Sequence, residues 1–358
     1  MVRNGRIGDC GLLDTGNGPS VASVTVDEVV GEVDDERMDT HLTEAAPLFV
    51  ARYDILAVGA CNLDIFAAVG DAPHALSVGE ERVVPGVVET FLAQLASAGA
   101  APFHVSGGGQ AANVAVAVAG AGGRSALVTR VGDDASGRLV LSDLGKVDLT
   151  YVVRGPATTR ALITVDGRGE RTIVLDGIGE PQPPLSWPSP NAALHVHFTS
   201  MIAESDRLAQ CAFRRRLPRS VTTSLDGGQM YAEAGLKLIE GIVTGATIYF
   251  ATEGELQALA GCEDEAQSRL FELGVQFVCC KLGAQGARLT AADGSVVTSR
   301  PLPVTAVDST GAGDVLAGVF LLNFVRRMPL QACLDDAVSC AAASVTGWGR
   351  SRYPGFRS

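Results

Sequence analysis

The residues best suited to chemistry lie near the C-terminus, in the string V-D-S-T-G-A-G-D at positions 307–314. Apolar residues follow the string and predict a helix, so its glycines precede a helix N-terminus. Such a terminus offers unpaired backbone N–H groups and a partial positive charge, which suit phosphate. An aspartate in that first turn would repel phosphate, but Asp314 is well placed to take a proton from an attacking hydroxyl. The string therefore favours transfer of an anionic group to a hydroxyl.

A second string, G-G-G-Q-A-A-N at positions 107–113, opens a predicted Ala/Val helix over residues 110–121. Three glycines after a strand let a ligand approach the backbone closely. Asn113 falls in the first helical turn and offers both a donor and an acceptor, which recognition of a polyol requires. This string predicts a substrate-binding turn.

The same glycines leave an alternative open. Gly107, Gly109 and Ala112 fit the looser form of a dinucleotide-binding fingerprint, and Asp133 after the next predicted strand could accept from a ribose. That interpretation gives Asp314 no role, so it ranks second.

A third string, G-A-C-N-L-D at positions 59–64, follows the first predicted strand over residues 54–58. Asp64 would lie at the carboxyl end of that strand, where a carboxylate can accept from two sugar hydroxyls. By itself this is a common turn composition, and its value comes from its place beside the other two strings.

Predicted strands and helices alternate from residue 53 onward, which indicates a mainly parallel sheet covered on both faces. Loops at the carboxyl ends of such strands gather the ligand-binding groups. Segments 65–69 and 82–84, with a predicted hairpin over 161–175, are left over and predict a small separate sheet.

Composition excludes several classes of protein. Twenty-eight Lys and Arg against 40 Asp and Glu give a net charge of −12, which argues against nucleic-acid binding. There is no apolar run of about 18 residues and no apolar leader, so neither a membrane span nor a signal peptide is expected. The predicted location is the cytoplasm.

Residues 1–50 hold ten acidic and three basic residues and predict a solvated, disordered extension, with one folded domain over 51–358.

The three strings, in this order, resemble those of the ribokinase-like (PfkB) family of small-molecule kinases over roughly residues 53–350. The string V-G-D-D-A-S-G at 131–137 also resembles a family stretch, and the overall pattern is most similar to the adenosine-kinase-like branch. The resemblance implies a three-layer α/β/α fold with a mainly parallel central sheet and a small β-sheet lid, drawn from about 65–84 and 155–176.

The resemblance also implies roles for individual residues. Asp314 would be the catalytic base, and the amides of Gly311, Ala312 and Gly313 would form the anion hole. The phosphoryl acceptor would be held by Asn62, Asp64, Gly108, Gly109 and Asn113. ATP would be flanked by Thr252, Glu255, Lys281, Gly283 and Gly286. Glu255 would act indirectly on Mg²⁺, and a monovalent cation such as K⁺ would be held by Asp308, Ser344 and Gly349.

One position departs from the family pattern. Thr252 stands where the family has Asn, three residues before the retained Glu255. A hydroxyl still offers one oxygen, so we expect altered handling of metal or phosphate without loss of activity.

The sequence thus predicts an ATP-dependent kinase acting on a primary hydroxyl of a small sugar or sugar-like molecule. Adenosine or another nucleoside is an alternative acceptor, with Phe66, Phe103 and Phe198 as candidate stacking residues. A non-catalytic ligand-binding or regulatory protein on the same fold is an alternative of another class. Unpaired edges of the lid strands would favour a homodimer.

Overall fold

The computed structural model describes residues 51–68, 81–97, 102, 104–165, 171–176 and 182–355. Several predicted features lie outside these residues. They are the N-terminal extension at 1–50, residues 69–80 of the first predicted lid segment, Phe103, and the predicted hairpin turn at 166–170.

The described strands and helices follow the predicted alternation. In chain order the strands are β1 (Tyr53–Val58), β2 (Asn62–Ala68), β3 (Glu81–Val83), β4 (His104–Gly108), β5 (Ser125–Gly132), β6 (Val152–Gly155), β7 (Arg160–Val165), β8 (Arg171–Leu175), β9 (Ala193–Thr199), β10 (Thr222–Asp226), β11 (Ile248–Thr252), β12 (Phe277–Lys281), β13 (Ala287–Ala291) and β14 (Val296–Ser299). The helices are α1 (Val87–Ser97), α2 (Gln110–Gly120), α3 (Ala135–Ser142), α4 (Glu204–Arg214), α5 (Gly228–Ala234), α6 (Leu236–Val243), α7 (Glu253–Ala260), α8 (Glu263–Glu272), α9 (Ala312–Val325) and α10 (Leu330–Ser344).

The larger sheet has the order β14-β13-β12-β11-β10-β9-β1-β5-β6. Its strands pair in parallel from β12 through β6, and the β13–β14 hairpin closes one edge in antiparallel fashion. The loops that follow the parallel strands therefore meet at one edge of the sheet. The predicted mainly parallel sheet is confirmed.

Side chains of β1 alternate between two hydrophobic clusters, one on each face of the larger sheet. Ile55 and Ala57 join the cluster that contains residues of α2, α9 and α10, whereas Leu56 and Val58 join the cluster with α4 to α8. This period of two is the one a strand imposes when both of its faces are covered. The three-layer arrangement is thus confirmed. Within the described ranges no helix is both long and apolar enough to cross a membrane.

The smaller sheet has the order β3-β8-β7-β2-β4, and β7 and β8 form the predicted hairpin. The position of β4 in this sheet was not predicted, because its glycines resemble the end of a strand of the larger sheet. Instead β4 pairs antiparallel with β2, which sets Asn62 opposite Gly108 and Asp64 opposite Ser106. Two strings that are distant in sequence therefore become neighbours in one ladder.

Candidate active site

Asp314 lies in the first turn of α9 and is buried. Its Oδ2 accepts a 2.8 Å hydrogen bond from Nδ2 of Asn113, on the second predicted string. Burial and the nearby Asp226 charge raise the pKa of Asp314 to about 7, against the opposing effects of Asn113 and Lys281. A carboxyl group with a pKa near neutrality can both take and release a proton at physiological pH.

Asp64 lies on β2 and faces the same cavity. Nδ2 of Asn62 donates to its Oδ1 at 2.5 Å, and burial raises the Asp64 pKa to about 7 although the Arg350 charge opposes the rise. The carboxyl group presses against the backbone of β4, because a Cβ at Gly108 would lie 2.2 Å from Oδ2 of Asp64. Glycine at position 108 is therefore a steric requirement for this placement of Asp64.

The glycine turn before α9 is tightly packed. Gly311 has φ +76°, and a Cβ there would lie 1.9 Å from the hydroxyl oxygen of Tyr353. The Ala312 amide donates to the Ser309 carbonyl at 3.3 Å, so it closes this turn and is already engaged. The Thr310 hydroxyl is buried and has no hydrogen-bond partner among the described residues. That orphaned hydroxyl directly precedes the start of α9, and unpaired donors at a helix N-terminus suit an oxyanion.

Lys281 ends β12 and passes beneath this turn, since a Cβ at Gly313 would lie 3.1 Å from Cδ of the lysine. Its Nζ donates to Oδ2 of buried Asp226 at 2.6 Å and lies 3.9 Å from Oε2 of Glu255. Burial lowers the Lys281 pKa, but the Asp226 and Glu255 charges outweigh it and hold that pKa well above its usual range. A permanent cation therefore lies beside the start of α9.

Gly283 and Gly286, expected to flank ATP, lie in the turn that joins β12 to β13. Gly286 has φ +93°, and a Cβ there would come 2.0 Å from the Ser299 carbonyl oxygen of the hairpin partner. This turn directly follows Lys281, so it lies at the same sheet edge as the charged cluster.

Thr252 has a local structural role that was not predicted from the sequence. Its hydroxyl accepts from the Glu255 amide at 3.2 Å, and Oε2 of Glu255 accepts from the Thr252 amide at 2.7 Å. This reciprocal pair is a capping box at the start of α7. Of the two residues, Glu255 lines the cavity and Thr252 does not.

The three residues expected at a monovalent cation site lie in neighbouring segments, since the Asp308 amide donates to the carbonyl of Val345, next to Ser344, at 3.1 Å. Asp308 accepts from the Thr310 amide through Oδ1 and from the Gly349 amide through Oδ2, both at 2.9 Å. The Ser344 hydroxyl donates to the Ala341 carbonyl within its own helix at 2.8 Å. Asp308 and Gly349 therefore form one cluster, and the Ser344 side chain is turned to its own helix.

Arg350 is a site residue that sequence reasoning missed. It lies in a short 3₁₀ turn, Gly349–Arg352, and its side chain is 2% exposed. Nε donates to Oδ1 of Asn113 at 2.9 Å, and Nη2 donates to the carbonyl of Gly108 at 3.0 Å. Because Nε occupies the amide oxygen of Asn113, the amide nitrogen is left to donate to Asp314. No motif marks this arginine in the sequence.

The structure contradicts the dinucleotide-binding alternative. The glycine turn follows β4 of the smaller sheet, not a strand of a parallel βαβ unit. The side chain of Asp133, its candidate ribose acceptor, is 81% exposed and pairs with Arg154.

Part of this set lines one cavity of about 800 Å³, whereas Lys281, Gly283, Gly286, Asp308 and Arg350 lie outside its wall. Asp64 and Asp314 lie on its wall with Asn62, Gly109 and Asn113, and the smaller sheet contributes an apolar side. Phe66 and Phe198, the candidate stacking residues, are fully buried in the core clusters instead. The apolar part of the wall comes from Ala161, Ile163, Ile173, Leu175, Met201, Ile202 and Met230.

Comparison with known proteins agrees with this geometry. Residues 83–352 match the model of the pfkB family carbohydrate kinases. The chain is 32% identical over 261 residues to an ATP-dependent ribose-1-phosphate kinase of Halopiger xanaduensis, covering 70% of this chain and 83% of that one.

A fructokinase-1 of Oryza sativa is 30% identical over 312 residues, which cover 78% of this chain and 94% of the relative. The crystal structure of adenosine kinase from Sinorhizobium meliloti superposes with a TM-score of 0.67 at 22% identity, covering 84% of this chain and 95% of that one. Since the family model covers more than half of the chain and the matched region holds Asp314 and the glycine turn before it, the chain belongs to the pfkB family of carbohydrate kinases.

Proposed function

We propose that this kinase transfers the γ-phosphoryl group of ATP to a primary hydroxyl of a small sugar or sugar-like molecule, with Asp314 as the general base. The observation that carries the proposal is a buried carboxyl group at the start of α9 that shares one cavity with Asp64. Asn62, Asp64, Gly108, Gly109 and Asn113 would then bind the acceptor.

The acceptor hydroxyl loses its proton to a carboxylate oxygen of Asp314 while its oxygen forms a bond to the γ phosphorus. The bond between that phosphorus and the bridging oxygen breaks, and ADP leaves with the electron pair. The start of α9, including the amides of Gly311 and Gly313, would stabilise the transferred charge. Positioning and charge stabilisation are the main demands of this reaction, so one base and one anion site suffice.

The residues present fit ATP and Mg²⁺. The unpartnered Thr310 hydroxyl suits phosphate, Lys281 lies beneath the same turn, and the Glu255 carboxylate offers the hard oxygen that Mg²⁺ prefers. Bound Mg²⁺ would neutralise phosphate charge, with Glu255 holding it through water. Asp308 and Gly349 are the candidate K⁺ ligands, and Gly283 and Gly286 would flank the nucleotide.

A nucleoside is the second candidate acceptor. A cavity of about 800 Å³ is larger than one monosaccharide needs, and Ile163, Ile173, Leu175 and Met230 line one side of it. Such a wall suits the flat face of a base, even though Phe66 and Phe198 are buried elsewhere.

An acceptor panel tests the proposal and separates the two candidates. ADP release would be measured with ribose, fructose, adenosine and cytidine, each at saturating ATP. The matched control for ribose is 5-deoxyribose, which lacks the primary hydroxyl. We expect turnover with at least one acceptor and none with its deoxy counterpart; ADP release that ignores the acceptor would contradict the proposal.

Residues 51–358 would act as one kinase domain, with β2, β3, β7 and β8 in the lid and the 1–50 extension outside it. The edge strands of the smaller sheet are β3 and β4, and Val105 on β4 is 43% exposed. Such edges support a homodimer through the lid.

All seven described cysteines are free, which supports a reducing compartment such as the cytoplasm.

Thr252→Asn is expected to preserve or improve the rate at limiting Mg²⁺ while leaving the acceptor KM unchanged. Asn caps helices as well as Thr does, so the start of α7 should persist with the Asn Oδ1 accepting from the Glu255 amide, and the carboxamide adds an NH₂ donor that Thr lacks. The measurement is a Mg²⁺ titration of the initial rate at saturating acceptor, with a separate acceptor titration.

Thr252→Ala is the matched control, because it removes the cap without adding a ligand and should cost about 0.5–2 kcal/mol of stability. A folded but inactive Thr252→Asn variant would mean that the site depends on threonine itself. A changed acceptor KM would instead mean that the start of α7, through Glu255, acts on the acceptor side of the cavity.

A further inference from the structure

Beyond Asp64 and Asp314, the cavity wall carries a charge pair that no step of the reaction uses. Arg130 near the end of β5 donates to Asp206 in the first turn of α4 through both terminal nitrogens, at 2.9 and 2.8 Å. The third arm of the guanidinium, Nε, donates to the Pro183 carbonyl at 2.8 Å. Both side chains are almost fully buried, with 5% and 8% exposure, yet both line the cavity.

The pair removes the positive charge that a negatively charged acceptor would need. A bidentate carboxylate takes up the guanidinium face that would otherwise bind a phosphate or carboxylate group. Arg130 is the one cation among the described lining residues, whereas carboxylates recur around the wall at Asp64, Glu204, Asp206, Glu255 and Asp314. Lys281 lies beneath the turn at the start of α9 and is not among the residues that line the cavity.

We infer that the Arg130–Asp206 pair makes the cavity selective for uncharged acceptors and against sugar phosphates and sugar acids. The inference rests on the proposed function, because it specifies the acceptor of the same site. Arg130 and Asp206 are thus specificity-determining residues. The pair can still form hydrogen bonds with uncharged hydroxyl or amide groups, whereas Asp206 repels an anion. Burial excludes solvent, so the repulsion is screened far less than it would be on the surface.

The first test uses the unaltered protein and two matched pairs of probes, each with a free primary hydroxyl: ribose with ribose 1-phosphate, and glucitol with gluconate. Binding is measured by calorimetry and turnover by ADP release. We expect each anion to bind about tenfold or more weakly than its neutral counterpart. Binding of an anion as tight as or tighter than its neutral counterpart would overturn the inference.

The second test is Asp206→Asn, which frees the Arg130 charge while keeping a similar shape. Affinity for ribose 1-phosphate or gluconate should rise by about 10- to 100-fold, the range expected for hydrogen bonds to a charged group. Glu204→Gln is the matched control, since it removes one negative charge from the same wall and leaves the pair intact. An Asp206→Asn variant with no gain, or an equal gain in Glu204→Gln, would overturn the inference.

Removing one partner of a buried ion pair can unfold a protein. Circular dichroism checks this, and if Asp206→Asn does not fold, the comparison on the unaltered protein decides. The proposed function fails separately: charge-selective binding without ADP release from any acceptor would reject the kinase reaction and leave the selectivity in place.

Discussion

Replacing Asp314 with Asn is expected to lower kcat by about 10²–10⁴-fold, the usual loss on removing a general base, while ATP affinity changes little. The amide keeps the size of the carboxyl group and can still contact Asn113, which holds the native carboxylate at 2.8 Å. It cannot accept the proton of the acceptor hydroxyl. The measurement is single-turnover phosphorylation at saturating ATP and acceptor, with nucleotide binding followed by calorimetry.

Thermal unfolding separates a missing base from a misfolded protein. The pKa of Asp314 is raised to about 7 in the folded state, so its stabilising contribution is complete below the unfolded pKa of about 3.9 and is lost as pH rises through 7. Asn carries no charge, and the variant should therefore melt higher than the parent at pH 8, with the difference shrinking towards pH 4. A rate within about threefold of the parent's would contradict the role of a general base.

Replacing Arg350 with Met should reduce kcat/KM by about 10- to 100-fold, the cost of losing hydrogen bonds to a charged group. Asn113 would lose the donor that fixes its amide, and the Gly108 carbonyl would lose its 3.0 Å partner. Asp64 would also lose the positive charge that opposes the rise of its pKa. The acid limb of the pH–rate profile should consequently move to higher pH, which simple loss of packing would not cause.

Arg350→Lys is the matched control for this variant. Lysine keeps the positive charge near Asp64 but cannot donate in the same fixed fork to Asn113 and Gly108. We expect its pH profile to stay close to that of the parent while kcat/KM remains reduced. If Arg350→Met loses stability alone and keeps both kcat/KM and the pH profile, Arg350 is a structural residue and does not position Asn113.

Residues of the site that lie in one continuous string could be predicted from the sequence. Asp314 and the glycines before it share a helix start, so backbone geometry alone places them together. Asp64 and Asn113 were each inferred from the strand or helix that carries them. Their proximity required the β2–β4 ladder, whose antiparallel pairing in a separate sheet was not predicted.

Residues that reach the site through packing carried no such signal. Arg350 and Asn113 are 237 positions apart, and Arg130 and Asp206 are 76 apart. Neither arginine belongs to a pattern that distinguishes it from a surface cation, because only the fold determines that their side chains are buried. Thr252 illustrates the reverse case: its position suggested a phosphate ligand, whereas its hydroxyl takes part in a capping box.

The pH dependence of kcat/KM for the acceptor tests the central claim most directly. Asp64 and Asp314 both have a pKa near 7, and Asp314 acts as a base only when ionised. Activity should therefore fall as pH drops through about 7, roughly tenfold per unit if one group controls it and more steeply if the two titrate together. In Asp314→Asn, residue 314 no longer titrates, so the residual kcat/KM should fall less steeply with decreasing pH than that of the parent. A parent profile that stays flat from about pH 5 to 8, or a limb unchanged in Asp314→Asn, would contradict the assignment of Asp314 as the catalytic base.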